Sequence, residues 1–325
     1  FSTWPGRFGV SVAGAVYLGG ALLAARMLYR GFPGFALALL LAVLVVIAGI
    51  AMLARTAITA LPWGRVEATN LVAHVPGKRP RYYIMAHRDS KSQPVPLAFR
   101  GPAIVLAILA WIALIAATSL ALLDPIFLSP DLIVVLGVIA VVAGAILVLC
   151  WVDNRSPGAL DNASGVATLL GIAEREAANG DVAVIVTDAE ELGLAGARAI
   201  APLLPACFGV INLDGIDDDG HFYIIERFGW PTKKGAAPHL AAALLGAAAA
   251  LNHEARRRDV PIGLLLDHIP IVNAGTPALT VMRGSLRSLQ RVHRPADSLS
   301  HLLGTGVTQG VGLICAALQR MRESP

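Results

Sequence analysis

The sequence has little charge and few cysteines, and both shortages limit what the chain can be. Only 15% of its 325 residues are charged and the mean hydropathy is +0.66, whereas about 25% are charged in a typical soluble domain. Part of this chain must therefore lie in lipid. The three cysteines (Cys150, Cys207 and Cys315) stand in apolar contexts, and their spacing fits neither a disulfide framework nor a thiolate zinc site. An intracellular location is thus allowed.

The sequence also has no basic patch interleaved with aromatic residues. Aromatic residues make up 6% of the chain and the net charge is +4. Nucleic acid is therefore not expected as a partner.

Four runs without charge are long enough to cross a bilayer, which takes about 17–25 apolar residues. A buried core helix could explain one such run, but four together indicate membrane insertion. No run carries an acid or base to mark a transport pathway, which argues against a transporter. The runs cover residues 8–25, 31–54, 101–123 and 132–152.

The runs form two hairpins, which turn near Pro33 and near Asp124-Pro125. Each hairpin begins and ends on the same side, so all the polar sequence is expected on one face of the membrane. The balance of arginines favours the cytoplasmic face, since four flank the spans on the polar side: Arg7, Arg55, Arg100 and Arg155. We expect a multi-pass membrane protein with three parts: an N-terminal hairpin in 1–63, a polar domain in 64–100 and 153–325, and an inserted hairpin in 101–152.

The polar domain alternates apolar β-branched runs with helix-forming segments. This alternation predicts an α/β layered sheet, in which ligands bind at the carboxyl ends of the strands. Strands are predicted at 66–75, 81–86, 181–186, 208–213, 221–225 and 278–282, and helices at 164–177, 195–201, 238–251 and 306–321.

The strongest candidate site follows the buried run at 181–186, where Glu190 and Glu191 stand together. Adjacent carboxylates at the end of a buried strand cost free energy unless each has a partner, and a metal ion is the natural partner. Neighbouring side chains leave an extended backbone in opposite directions. One glutamate can therefore hold a cation while the other faces a metal-bound water. A solvated acidic pair at a helix start is the alternative.

Residue types that bind metals recur at the other predicted strand ends. His87 and Asp89 end one strand, and because residues two apart share a face, Asp89 can hydrogen-bond the ring nitrogen of His87 that binds no metal. Asp161 lies in a loop before a helix, Asp214 ends another strand, and His293 lies in a loop. Singly, the last three could be a helix cap, a turn residue and a surface histidine. Together they predict a metal site.

Five segments carry a more specific signal: AHRDS, PGALDNASGVA, DAEELGLAGA, INLDGID and VHRPADSL. In content and order they resemble the co-catalytic zinc aminopeptidase family, which also contains glutamate carboxypeptidases and glutaminyl cyclases. The resemblance covers the polar domain but not the four apolar runs. It implies a three-layer αβα domain on a mixed sheet. This domain would accompany the four transmembrane α-helices in two hairpins that the apolar runs predict.

The resemblance further implies two Zn²⁺ ions as cofactors. His87 and Asp214 would bind one ion, Glu191 and His293 would bind the other, and Asp161 would bridge the two. Three carboxylates would leave the pair of ions with residual positive charge, which would lower the pKa of a bridging water to about 7.

The general base implied by the resemblance is Glu190, which would take a proton from that water and pass it to the leaving amine. Asp89 would orient His87. The pair Asp267-His268 resembles a family segment near the site, and we interpret both residues only as candidates for the pocket wall.

Two details depart from the family pattern. Many members have an aromatic residue before the last histidine, where it can donate to the oxyanion, but here the position is Val292. Another donor would have to serve, and the sequence leaves Arg287, Arg291 and Arg294 open. Asp188 is an additional acid beside the base.

A larger departure is the hairpin inserted between Asp89 and Asp161. The tether from Asp153 to Asp161 spans at most about 30 Å when fully extended, so the metal site is expected near the bilayer surface. Peptides or other amides presented there would be its substrates.

The sequence therefore favours a membrane-anchored zinc metallopeptidase, most plausibly an aminopeptidase. A glutaminyl cyclase or carboxypeptidase variant is open, as is an inactive relative that serves as a membrane receptor or scaffold, although no ligand and no base is missing. The preferred terminal residue, the native metal and the oligomeric state do not follow from the sequence.

Overall fold

The computed structural model describes residues 1–3, 9–60, 65–124, 129–229, 231–235, 237–261 and 264–323. The chain divides into two compact units. The bundle unit comprises Gly6–Ala60 and Gln93–Asp153, and the sheet unit comprises Phe1–Pro5, Leu61–Ser92 and Asn154–Pro325. Four features of the sequence prediction lie outside the described residues: Arg7, the start of the first run at Phe8, the start of the polar domain at Gly64, and Pro125.

Among the described residues, the bundle unit contains four helices that are long and apolar enough to cross a membrane. They correspond to the four uncharged runs. The first packs against the second and fourth, and the third packs against the same two. The helices are α1 (Gly9–Tyr29), α2 (Pro33–Ala60), α3 (Leu97–Leu123) and α4 (Pro130–Val148).

Small residues let the helices of the bundle unit approach closely. A Cβ atom on Gly14 would lie 2.7 Å from the backbone of Leu147, and one on Gly144 would lie 2.9 Å from the ring of Tyr17. The hydroxyl of Tyr17 donates to the carbonyl oxygen of Ala107 at 2.9 Å. Such interfaces are typical of helices packed in lipid, where close backbone contact and hydrogen bonds replace the hydrophobic drive.

The described residues of the sheet unit form a seven-stranded sheet. Its strands are β3 (Leu71–His74), β4 (Tyr82–His87), β5 (Val182–Thr187), β6 (Gly209–Ile216), β7 (His221–Arg227), β8 (Ala255–Asp259) and β9 (Ala278–Gly284). Their order is β3-β5-β4-β6-β9-β7-β8. The four strands β4, β5, β6 and β9 are parallel, whereas β3 and β7 are antiparallel to their neighbours β5 and β9. A separate pair joins β1 (Ser2–Thr3) to β2 (Val66–Glu67).

Helices cover both faces of the sheet. Side chains of β4 alternate between the two faces, since Tyr82 and Ile84 pack in one apolar cluster and Tyr83 and Met85 pack in the other. The first cluster includes residues of α5 (Ser164–Glu176), α7 (Pro238–Ala250) and α10 (Thr305–Glu323), and the second includes residues of α6 (Ala195–Ile200) and α8 (His268–Asn273). The three-layer αβα architecture with a mixed sheet is confirmed.

Two elements differ from the sequence prediction for local reasons. The strand predicted at 66–75 is divided into β2 and β3, because Thr69 and Asn70 bond to the loop after β5 and to the start of α6 instead. The N–H of Thr69 donates to Asp188, and the amide of Asn70 donates to the carbonyl oxygen of Gly196. The edge strand β8 was not predicted, since its Ala-Arg-Arg-Arg-Asp sequence has no apolar alternation. Charged residues are a usual protection of exposed sheet edges.

Candidate metal centre

The predicted site residues meet at the carboxyl ends of the parallel strands. His87 is the last residue of β4 and pairs in register with Thr187, the last residue of β5. Asp214 lies near the end of β6, on the other side of β4. Glu191 follows β5, and His293 follows β9 after the short helix α9 (Leu286–Arg291). The sequence analysis predicted the site at this edge of the sheet.

Two groups of three side chains share Asp161. In the first group, Nε2 of His87 lies 3.2 Å from Oδ1 of Asp161 and 3.8 Å from Oδ1 of Asp214. In the second, Nε2 of His293 lies 3.0 Å from Oδ2 of Asp161 and 3.1 Å from Oε1 of Glu191. Within each group, one donor atom per residue lies within 4.8 Å of the others. The grouping is the one that the family resemblance implies, and metal binding by these residues stays a prediction.

A kinked segment, Ala159–Ala163, presents Asp161 to both groups, and the backbone of Asp161 and Asn162 within it is not helical. The backbone N–H groups of Leu160 and Asp161 donate to the two carboxylate oxygens of Asp297, at 2.6 Å and 3.1 Å. Asp297 is almost fully buried, and burial raises the pKa of its carboxyl although these hydrogen bonds oppose the shift. Sequence reasoning gave Asp297 no role, and its position in the VHRPADSL motif was the available signal.

A β-bulge in β6 aims Asp214 at the site. The register between β6 and β9 shifts between Leu213 and Ile216, and Gly215 has a left-handed backbone with φ of 70°. Asn162 holds the bulge, because its amide donates to the carbonyl of Leu213 at 2.9 Å and its oxygen accepts from the N–H of Gly215 at 3.0 Å. Bulges beside active sites commonly redirect a side chain in this way. The strand consequently continues past its predicted end at Leu213.

The two adjacent glutamates lie in a turn and not on an extended backbone. β5 ends at Thr187, and Ala189 takes a left-handed conformation with φ of 56°. The N–H groups of Glu190 and Glu191 then donate to the two carboxylate oxygens of Asp89, each at 3.0 Å. The turn separates the two side chains, so the argument from strand alternation was wrong in its geometry.

Asp89 contacts His87 differently from the prediction. Nδ1 of His87 lies 3.0 Å from the backbone carbonyl oxygen of Asp89, whereas the nearer carboxylate oxygen lies 3.6 Å away. A backbone carbonyl is a common partner for the free nitrogen of a metal-binding histidine. Asp89 thus contacts His87 through its backbone carbonyl oxygen, and it accepts hydrogen bonds from the Glu190-Glu191 turn through its side chain. Nδ1 of His293 has no hydrogen-bond partner among the described residues.

The site contains more carboxylates than cations. Burial raises the pKa of Glu190 well above its usual range, and the charge of His87 opposes this only in part. Burial lowers the pKa of His87, but the charge of Glu190 and hydrogen bonds to the neighbouring aspartates outweigh it and raise that pKa well above its usual range. The pKa of Glu191 falls to about 2 despite burial, because Lys91 forms an ion pair with it and His293 lies beside it. The surroundings therefore favour added positive charge.

A divalent metal fits these residues. Two imidazoles and three carboxylates are donors that zinc accepts. Oε1 of Glu191 is buried and accepts no hydrogen bond within the described part of the chain, although Nε2 of His293 lies 3.1 Å away. Buried carboxylates that converge without enough counter-charge are unfavourable, and cations between them would remove that cost.

Asp267 and His268 are fully buried, so neither lines an open pocket as predicted. A carboxylate oxygen of Asp267 accepts from the hydroxyl of Thr187 at 2.6 Å, and burial raises the pKa of Asp267 to about 7. Nδ1 of His268 lies 2.7 Å from the hydroxyl of Thr280, and burial lowers the pKa of His268 to about 4. Both residues belong to the interior behind the site.

Asp188 is turned towards Arg88 and Thr69. A carboxylate oxygen accepts from the guanidinium of Arg88 at 2.6 Å and from the N–H of Thr69 at 3.0 Å. Burial acts to raise the pKa of Asp188, but these contacts hold that pKa below its usual value. The additional acid therefore secures the β5 loop.

The structure reduces the number of candidates for the hydrogen-bond donor to the oxyanion. In many family members this donor is an aromatic residue at the position that Val292 occupies here. Arg291 is engaged in an ion pair with the buried Asp217, which leaves Arg287 and Arg294 of the three arginines. Lys91, which sequence reasoning missed, is the cation that the fold brings to Glu191. The sequence signal for Lys91 was its position directly after the AHRDS motif.

The model described as Peptidase family M28 matches residues 135–318, more than half of the chain. The match begins within α4 and includes Asp161, Glu190, Glu191, Asp214 and His293, but it leaves out β4 with His87. No curated protein sequence matches this chain.

Solved structures resemble the chain at low sequence identity. A glutaminyl cyclase from an Acidobacteriales bacterium is 17% identical, with 81% of this chain and 77% of that chain covered and a TM-score of 0.50. A Zn-dependent exopeptidase from Parabacteroides distasonis is 18% identical, with 81% and 80% covered and a TM-score of 0.49. An aminopeptidase from Aneurinibacillus sp. strain AM-1 is 16% identical over 79% of this chain, with a TM-score of 0.49, and the chain spans only 48% of its length. At these identities the likeness concerns the fold alone.

The family match includes four of the five motifs, all but AHRDS, and the αβα architecture agrees with it. The resemblance that the motifs indicate is confirmed, and the chain belongs to peptidase family M28.

Proposed function

We propose that the protein is a membrane-anchored, zinc-dependent aminopeptidase. The observation that supports this most strongly is the pair of buried histidine–carboxylate groups that share Asp161. A further buried carboxylate, Glu190, lies beside them and belongs to neither group. Two metal positions with an adjacent spare carboxylate are the equipment that hydrolysis of an amide requires.

In this proposal the metal ligands divide as the two groups do. His87 and Asp214 would hold one zinc ion, Glu191 and His293 would hold a second, and Asp161 would be shared between the two. Zinc bound there would supply a water of lowered pKa and would polarise the scissile carbonyl. The remaining chemistry belongs to the residues of the chain.

Glu190 moves the proton. Its carboxylate accepts a proton from the attacking water and delivers it to the nitrogen of the leaving amine. Asp89 positions this group, because its side chain fixes the N–H groups of Glu190 and Glu191 in the turn. Asp89 therefore acts through Glu190 and does not contact the substrate.

Purified full-length protein in lipid nanodiscs can test this function by metal analysis and a substrate panel. The panel contains an aminoacyl chromophore, a peptide with N-terminal glutamine and a peptide with C-terminal glutamate. We expect two zinc ions per chain and release of the aminoacyl chromophore. Cyclisation of glutamine alone would indicate a glutaminyl cyclase, release of glutamate alone a carboxypeptidase, and absence of both metal and turnover an inactive scaffold.

We further propose that the four apolar helices cross the membrane and that the sheet unit lies on the cytoplasmic face. Peptides presented near the bilayer would then be the substrates, since α3 and α4 interrupt the chain between β4 and the Asp161 loop. Replacing residues 100–153 by a short loop tests this, because α1 and α2 would still anchor the chain. The preference for membrane-associated over soluble peptides should fall, and an unchanged preference would count against the proposal.

A further inference from the structure

Exposed leucines concentrate in the segment that carries His293. Among the described residues of the sheet unit, four large apolar side chains are at least 74% exposed: Leu203 (74%), Leu286 (80%), Leu299 (75%) and Leu303 (88%). Three of the four lie in residues 285–303, which we call the leucine segment. Clustered apolar side chains on a surface mark a site of contact.

The leucine segment is held in place by polar contacts on its inner side. The hydroxyl of Ser288 donates to Asp217 at 2.5 Å, and Arg291 forms an ion pair with the same carboxylate. Arg291 also donates to the carbonyl oxygen of His301 at 3.0 Å, which ties α9 to the short turn that follows. The leucines are therefore exposed on an anchored surface.

The exposed charge within the leucine segment is positive. Arg287 is exposed and Arg294 is partly exposed. The single acid of the segment, Asp297, is 2% exposed and accepts hydrogen bonds from the loop of Asp161. Leucines beside arginines form the kind of surface that lies in the headgroup region of an anionic bilayer.

The segment lies at the edge of the sheet unit where the chain leaves for the apolar helices α3 and α4. Ser92 and Asn154 are the residues of the sheet unit on either side of that excursion. The N–H of Arg155 donates to the hydroxyl of Ser92 at 2.9 Å, so the outgoing and returning chains lie side by side. The returning chain leads to Ala159, whose N–H donates to the carbonyl of Asp297 at 3.2 Å. The chain connections and the leucine segment thus share one edge.

We infer that the leucine segment rests on the lipid surface of the membrane, with Leu286, Leu299 and Leu303 in the interface and Arg287 against anionic headgroups. The inference depends on the membrane insertion proposed above and extends it by naming the lipid-contacting surface of the sheet unit.

Site-specific fluorescence can test the lipid contact in the full chain. Cys150, Cys207 and Cys315 are replaced by alanine, and Leu299→Cys is labelled with an environment-sensitive dye in nanodiscs of phosphatidylcholine and phosphatidylglycerol. Leu203→Cys is the matched control, because its exposure is nearly equal (74% against 75%) and it precedes β6 at the amino end of the parallel strands. Nitroxide groups on the lipids should quench the dye at position 299 several-fold more than the dye at 203.

Equal quenching at positions 299 and 203 would overturn the inference. Protection of the dye at 299 that requires added peptide, or that rises with protein concentration and not with lipid, would also overturn it, since the occupant would then be substrate or a second copy. Leu303→Cys provides a second labelled site and should be quenched as Leu299→Cys is.

Soluble-peptide hydrolysis, measured on the same samples, separates the two proposals. Quenching without hydrolysis contradicts only the peptidase, and hydrolysis without quenching contradicts only the lipid contact.

Discussion

The bundle unit and the sheet unit bury opposite kinds of side chain. The interior of the bundle unit is rich in alanines and glycines, with fewer large side chains such as Leu40 and Leu114, around a Tyr17–Trp111 ring contact of 4.7 Å, and many leucines and valines face outward. The sheet unit has an aliphatic core, but at one edge it buries His87, Glu190 and Asp214, each less than 10% exposed. The two interiors are suited to different surroundings.

The difference between the two interiors reflects the interactions that stabilise each unit. Lipid accepts exposed apolar side chains, so in the membrane proposed for it the bundle unit would gain most from close backbone packing. Water drives apolar side chains into the sheet unit, and charged groups remain inside it only if opposite charge accompanies them. Changes at the candidate metal centre should therefore alter chemistry, and single substitutions at the helix contacts of the bundle unit should alter packing.

The largest effect is expected from Glu190→Gln, which keeps the shape of the side chain but removes the proton acceptor. Turnover of the aminoacyl chromophore should fall by about 10²–10⁴-fold, the usual contribution of a general base. Zinc content, measured by mass spectrometry on the same sample, should not change. Glu174→Gln is the matched control on the exposed side of α5, and substantial activity in the Glu190 variant would refute the assignment of the base.

Asp161→Ala should have the next largest effect, because both groups lose a ligand. Zinc should be lost from both positions on dialysis, together with activity. His87→Ala removes a ligand from one group only, so it should lose about one ion while the other is retained. Equal zinc retention in the two variants would show that Asp161 is not shared.

Gly14→Leu should destabilise the bundle unit without changing the candidate metal centre. The added side chain would begin 2.7 Å from the backbone of Leu147, and overpacking typically costs about 1–3 kcal/mol. The temperature of unfolding in nanodiscs should fall while zinc content stays the same. Gly19→Leu is the control, since a Cβ there meets nothing within 4 Å; an equal fall in both variants would show that close packing at Gly14 is not the cause.

The smallest effect is expected from Asp218→Ala at the start of α10. Its carboxylate accepts from the hydroxyl of Thr305 at 2.8 Å and from the N–H of Gly306 at 2.7 Å. Loss of such a helix cap costs about 0.5–2 kcal/mol, and Asp219→Ala on the same turn is the control. Chemical unfolding at neutral pH measures the difference.

The contribution of Asp218 should also depend on pH. Burial acts to raise the pKa of Asp218, but the hydrogen bonds from the start of α10 outweigh it and lower that pKa in the folded state. Its stabilisation is therefore present above the unfolded-state pKa of about 3.9 and is lost as the pH falls through the lower, folded-state value. The Asp218→Ala variant and the unmodified chain should converge in stability in strong acid; a constant difference would contradict the assignment.

Local pattern was enough to predict much of the fold. The four uncharged runs became α1 to α4, and β5 and α7 lie within a residue or two of their predicted bounds. These succeed because apolar periodicity and the absence of charge are properties of neighbouring residues. β8 was missed because its stability comes from pairing with β7 and not from its own arginine-rich sequence.

At the candidate site, the sequence by itself determined which residue types follow which strands. The family resemblance of its motifs implied the two groups formed by His87, Asp161, Glu191, Asp214 and His293. Only the tertiary structure decided how those residues are held. Asp89 uses its carbonyl for His87 and its carboxylate for the glutamate turn, Asn162 and Asp297 fix the Asp161 loop, and Lys91 reaches Glu191. The physical reason is that a polar side chain bonds whichever partner the folded backbone brings within about 3 Å, and chain neighbours do not specify that partner.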